Sequence, residues 1–105
     1  MERLLFSFEG GTASGGTCPR IVGVVASGNL EVLIEPAPEE RGCRVDVNTA
    51  AVGFGTTWEA VLQDFFERHP LMHVRISIND AGATPAIVSL RLDQAVEALA
   101  DGEGR

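Results

Sequence analysis

The chain has 105 residues, 45% of them hydrophobic and 22% charged, with a formal net charge of −7. That length fits one domain, residues 1–105, with a modest core. The apolar fraction excludes a disordered tail, and no apolar run approaches the ~20 residues of a membrane helix. No basic stretch followed by an apolar segment and a cleavage site opens the chain, so the expected compartment is the cytoplasm. All eight basic residues are arginine, against fifteen acidic ones. Such a surface repels a phosphate backbone, which argues against nucleic-acid binding. It suits solubility and docking onto basic patches of partner proteins. Two cysteines, Cys18 and Cys43, are too few for a disulfide scaffold or a zinc site and are read as reduced and structural.

The first segment, Glu2–Glu9, alternates with period two: Leu4, Phe6 and Phe8 share one face, as a half-buried strand requires. Residues 10–17 (Gly-Gly-Thr-Ala-Ser-Gly-Gly-Thr) read as a flexible connection. A phosphate cradle is rejected because no lysine and no helix pattern follow. Arg20–Ala26 and Leu30–Glu35 are two further strands, and Ser27, Gly28 and Asn29 between them are a tight hairpin signal. Pro36 and Pro38 then stop the pairing. Arg44–Thr49 alternates again, with Val45 and Val47 inward, until Gly53 and Gly55 break it.

Thr56 is expected to open a helix, with Glu59 completing a capping box and Trp58, Val61, Leu62, Phe65 and Phe66 forming the apolar stripe; Pro70 ends it. His73–Asn79 is the fifth strand, with Val74, Ile76 and Ile78 on one face, and Asp80, Ala81 and Gly82 form a turn. Residues 87–92 fit a strand as well as a helix. The helix reading, Pro85–Ala100 with Thr84 as cap, is preferred, and residues 101–105 are expected to fray. Strands with one apolar face need cover on one side only. The expected architecture is therefore an α+β two-layer sandwich: a mostly antiparallel sheet of about five strands covered on one face by two helices.

Few residues invite catalysis. His69 and His73 have the spacing of a helical metal pair, but Pro70 lies between them, so no metal site is expected. No Gly-x-Ser-x-Gly elbow is present. A small hydrolase built on Ser27 would need His69 or His73 beside it. Ser27 stands out for another reason. A hydroxyl at the lip of a hairpin, next to glycine, is accessible to modification by another enzyme, though serine is an ordinary turn residue too.

The stretch Val24–Pro36 (VVASGNLEVLIEP) resembles the prosthetic-group segment of the malonate decarboxylase acyl carrier (delta) subunits, and Ile78–Leu92 (INDAGATPAIVSLRL) resembles that family's second signature. A fainter likeness runs to the citrate lyase acyl carrier (gamma) subunit. The resemblance implies a non-catalytic carrier subunit with phosphoribosyl-dephospho-CoA bound covalently to Ser27, in a turn supported by Gly28 and Asn29. The arm ends in a thiol that holds acetyl or malonyl. The implied partners are an acyl transferase (alpha) subunit, the decarboxylase (beta/gamma) subunits, a malonyl transferase and a prosthetic-group transferase, the holo-carrier synthase. Asn29 stands where the family usually has Asp, a change that keeps the turn conformation. The chain lacks the Asp-Ser-Leu motif and four-helix pattern of ordinary fatty-acid carriers, which argues against a plain phosphopantetheine arm. The alternative is a structural or interaction subunit that never carries a group.

Overall fold

Alternation of apolar and polar residues builds the sheet. In the computed structural model, which describes residues 2–9, 13–14, 20–22, 29–37 and 39–103, the elements run β1 (Glu2–Phe8), β2 (Ala13–Ser14), β3 (Arg20–Val22), β4 (Leu30–Pro36), β5 (Cys43–Thr49), α1 (Gly55–Arg68), β6 (Leu71–Met72), β7 (Val74–Asp80) and α2 (Pro85–Glu103). Five strands form one sheet in the order β1-β5-β7-β4-β3, and β2 pairs with β6 separately. Within the large sheet β5 and β7 are parallel and the other three pairings antiparallel. The α+β expectation holds.

The register explains the core. Val45 stands opposite Ile76 and Val47 opposite Ile78, while Val32 and Ile34 of β4 face the same two isoleucines from the other side. All six side chains are fully buried. Over them lie Trp58, Leu62 and Phe65 from α1 and Val88, Leu92 and Ala95 from α2. The opposite face of the sheet carries ion pairs instead. Arg75 reaches Glu39 at 3.1 Å, and Arg3 reaches Asp46 at 2.7 Å. Parallel strands need a crossover rather than a hairpin, and α1 is that crossover between β5 and β7. It packs beside β1, where Phe66 stacks on Phe8 with ring centroids 5.2 Å apart; α2 packs over β4 and β3. Gly42 lets β5 approach β1: a Cβ there would lie 1.9 Å from the Phe8 carbonyl oxygen.

The two helix starts differ from each other. Thr84 caps α2 as expected, its Oγ1 accepting from the Ile87 amide at 3.3 Å. The capping box at Thr56 does not form. α1 begins a residue earlier, at Gly55, and its N-cap Phe54 makes no side-chain cap bond. The Trp58 amide already bonds the Phe54 carbonyl at 3.0 Å, so Thr56 lies inside the first turn. Burial of Trp58, Leu62 and Phe65 sets the helix phase, and exposed Thr56 and Glu59 follow it. At the other end of the chain α2 runs to Glu103, three residues beyond the expected Ala100.

Other differences are short-range. The segment read as a flexible connection contains β2, which pairs in parallel with β6. The fifth strand begins at Val74, because His73 adopts a left-handed backbone (φ 61°) and separates β6 from β7. His is among the side chains that enter this region more readily, and its Nδ1 lies 2.8 Å from the Glu40 carbonyl oxygen.

At the sheet edge, the Arg3 guanidinium donates to both carboxylate oxygens of Asp46, at 3.1 and 2.7 Å. These bonds hold the Asp46 carboxyl below the usual carboxylate range, with nearby arginines adding to the effect. A carboxyl with a depressed folded-state pKa stabilises the fold above its unfolded value, and that contribution is lost as pH falls through the folded value. Asp46→Asn should therefore unfold at a lower temperature at neutral pH and lose less stability than the parent chain below about pH 4. Salt should narrow the difference, because the pair is solvated. Thermal melts across pH check both points.

Candidate functional site

Ser27 and Gly28 lie outside the described residues; Asn29 lies within them. The strands on either side locate the connection. Arg20 pairs with Ile34 and Val22 with Val32, an antiparallel register symmetric about position 27 in the chain. Asn29 is exposed and leads directly into β4, and its carbonyl accepts from the Ala81 amide at 2.8 Å. The candidate attachment segment thus enters the described fold at the end of the sheet where β7 finishes.

That end is held by Asp80. The residue is 6% exposed, and its carboxylate accepts three hydrogen bonds: from the Thr49 hydroxyl at 2.8 Å, the Gly82 amide at 3.1 Å and the Ala83 amide at 2.8 Å. Thr49, also buried, in turn accepts from the Ala51 amide at 3.1 Å. Gly82 has φ 116°, a conformation glycine adopts at no steric cost. The turn reading of Asp80 and Gly82 is correct, and its reach is larger than the sequence suggests. One carboxylate ties the ends of β5 and β7 to the start of α2, and the same turn holds Asn29. Thr49 gave no signal in the sequence beyond its place at the end of a strand.

The histidines do not form a pair. His69 Nε2 lies 3.1 Å from Asp93 Oδ1, whereas His73 contacts the Glu40 carbonyl. Among the described residues no group of three or more His, Cys, Asp or Glu side chains could hold a metal ion. His73 precedes the first residue of β7, and Asn29 bonds the residue after its last. Seven strand residues span about 20 Å. His73 therefore sits at the opposite end of the sheet from Asn29, at the end to which α1 delivers His69.

Cys43 is free and 2% exposed. Burial pushes its thiol up to about 12. Thiolate is the reactive form, so in a Cys18→Ser background the native apo chain should show no reaction with a disulfide reagent at pH 8 and one thiol after unfolding. A colorimetric thiol titration with and without denaturant measures this. A thiol introduced on the native chain would then titrate without interference.

Comparison with known proteins puts the chain among acyl carriers. It is 61% identical over 108 residues to the malonate decarboxylase acyl carrier protein of Stenotrophomonas maltophilia strain K279a, with all of both chains covered. It is 59% identical over 100 residues to the protein of the same name from Burkholderia cepacia, covering 95% of this chain and 92% of that one. A family model described as malonate decarboxylase delta subunit (MdcD) matches residues 18–99, and the chain belongs to that family. Its fold matches a chain in the crystal structure of a Pseudomonas malonate decarboxylase hetero-tetramer in complex with malonate. The TM-score is 0.80 and the identity 35%, over 94% of this chain and 99% of that one. No helix among the described residues is long and apolar enough to cross a membrane.

Proposed function

We propose that the chain is the acyl carrier subunit of a cytoplasmic malonate decarboxylase, with phosphoribosyl-dephospho-CoA attached through the Ser27 hydroxyl. The observation that carries this reading is full-length identity of 61% to a named malonate decarboxylase acyl carrier protein. Ser27 falls inside the residues that the family model matches. When attached, the group supplies a thiol that holds acetyl or malonyl as a thioester. The chain itself breaks no bond of the substrate. Its part is to fix the attachment point while the arm moves, and the buried Asp80 turn that holds Asn29 fits that part. A tethered acyl group meets each active site at the effective concentration of an intramolecular reactant.

The partners proposed are an acyl transferase (alpha) subunit, the decarboxylase (beta/gamma) subunits, a malonyl transferase and the holo-carrier synthase that loads Ser27. Assembly of the similar Pseudomonas chain in a hetero-tetramer supports stable contact with other subunits. An excess of fifteen acidic over eight basic residues suits basic rims on those partners and salt-sensitive association. Isotopically labelled malonate turned over by the native complex tests the reading. Label should appear on this chain and leave it on treatment with neutral hydroxylamine, which cleaves thioesters. A chain that stays unlabelled through turnover would mark a structural subunit without a prosthetic group.

A further inference from the structure

The end of the sheet that receives Asn29 also holds a groove of about 320 Å³. Phe54, Trp58 and Val61 line it from the start of α1; Ala83, Pro85 and Val88 line it from the start of α2. Asp80 is the one charged residue on the described lining, and its carboxylate is already occupied by Thr49 and the Gly82 and Ala83 amides. No cation faces the groove among those residues. Such walls accept methyl, methylene and thioester groups. They reject an ionised carboxylate, which needs a partner when taken out of water.

The groove lies beside the attachment segment. Gly82, on its lining, follows Ala81, whose amide donates to the Asn29 carbonyl at 2.8 Å. Two peptide units separate Asn29 from Ser27, which limits their Cα atoms to about 7.6 Å. An arm fixed at Ser27 thus starts close to the groove, and a flexible tether raises the effective concentration of its free end there above that of an untethered group. Even weak apolar contact then suffices for occupancy. A recess formed between two helix starts, apolar, with no cation on its described lining and beside the anchor, fits the uncharged end of the arm rather than its phosphates.

We propose that this groove receives the acetylated end of the arm carried at Ser27 and shelters the thioester from water between encounters. The malonyl form, whose carboxylate finds no cation on the described lining, stays outside and available to the decarboxylase subunits. This inference rests on the carrier reading and extends it to a cargo-dependent position of the arm.

Isotope-labelled chain, loaded by its holo-carrier synthase and verified by mass to carry the arm on Ser27, tests it in apo, acetyl and malonyl forms. The acetyl form should show nuclear Overhauser contacts from the acetyl methyl to Trp58 and Val88, and shifts of the Trp58 indole and Ala83 amide absent from the malonyl form. Ala83→Leu, which narrows the groove, should remove those contacts while leaving Ser27 loading unchanged. Its folded state is checked by the remaining amide spectrum. The thioester of the acetyl form should hydrolyse severalfold more slowly than that of free acetyl-CoA, and Ala83→Leu should abolish the difference. Verified loading with shifts confined to the neighbours of position 27 would overturn the groove assignment and leave the carrier reading standing. Equal shifts in the acetyl and malonyl forms would overturn the charge selection. A chain that its synthase cannot load would overturn the carrier reading itself, and this inference with it.

Discussion

A complex reconstituted with Ser27→Ala should lose malonate turnover by roughly a thousandfold or more, because no tether then holds the acyl group at the active sites. The chain should still fold, melt normally and assemble. The substitution removes one hydroxyl from the chain between β3 and β4 and leaves every buried residue of the described core unchanged, so the expected cost is within about 0.5 kcal/mol. Retained assembly with lost turnover separates a carrier from a scaffold. Ser27→Ala would leave a purely structural subunit fully functional. Ser27→Thr keeps a hydroxyl and is a useful intermediate, because residual loading in that variant should track residual turnover. Steady-state rates, with subunit composition checked by native mass, measure all three properties.

The second large effect concerns the fold. Asp80→Ala should destabilise the chain by about 3 kcal/mol, since it strands the buried Thr49 hydroxyl and deprives the Gly82 and Ala83 amides of their acceptor. For a domain of this size that corresponds to a melting temperature lower by on the order of 15 °C. Thr49→Val removes a single hydroxyl from the same cluster and should cost about 1–2 kcal/mol. The double variant should cost less than the sum, because both residues share one hydrogen bond. Calorimetry of the three variants measures the coupling. Near-additive costs would mean that the Thr49–Asp80 contact is not what holds the ends of β5 and β7 together. The same lesion bears on function, because Ala81, which holds the Asn29 carbonyl, sits in the turn that Asp80 organises.

Most of the sheet was legible because its strands are buried on one face only. Period-two patterns at Leu4–Phe8, Leu30–Ile34, Val45–Val47 and Val74–Ile78 identify four strands directly, and the stripe from Trp58 to Phe65 identifies α1. Thr84 and Pro85, together with the likeness to the citrate lyase carrier, favour a helix over residues 85–100 against a strand at 87–92, and the Thr84 cap bond is present. What escaped was either too short or decided at a distance. Two-residue strands such as β2 and β6 show no period to read. The box at Thr56 and Glu59 is a local signal that lost to the burial of Trp58, and α1 starts at Gly55 instead. Parallel pairing of β5 with β7 depends on α1 crossing the sheet, which no local pattern states.

The candidate site divides in the same way. A hairpin signal and likeness to a family both point to Ser27, and the second carries nearly all the weight. Its physical setting in the sequence is that of any turn serine. Asp80 was legible as a turn residue but not as a buried acceptor of three bonds, because Thr49 lies thirty-one residues away. The groove was invisible for a similar reason: its walls come from two helix starts and two strand ends that meet only in the folded chain.

The intact mass of the chain purified with its native partners, followed by fragmentation to place any adduct, tests the carrier reading most directly. An increment equal to phosphoribosyl-dephospho-CoA on the peptide containing Ser27 is the expected result. An unmodified chain recovered from a fully active native complex would contradict it.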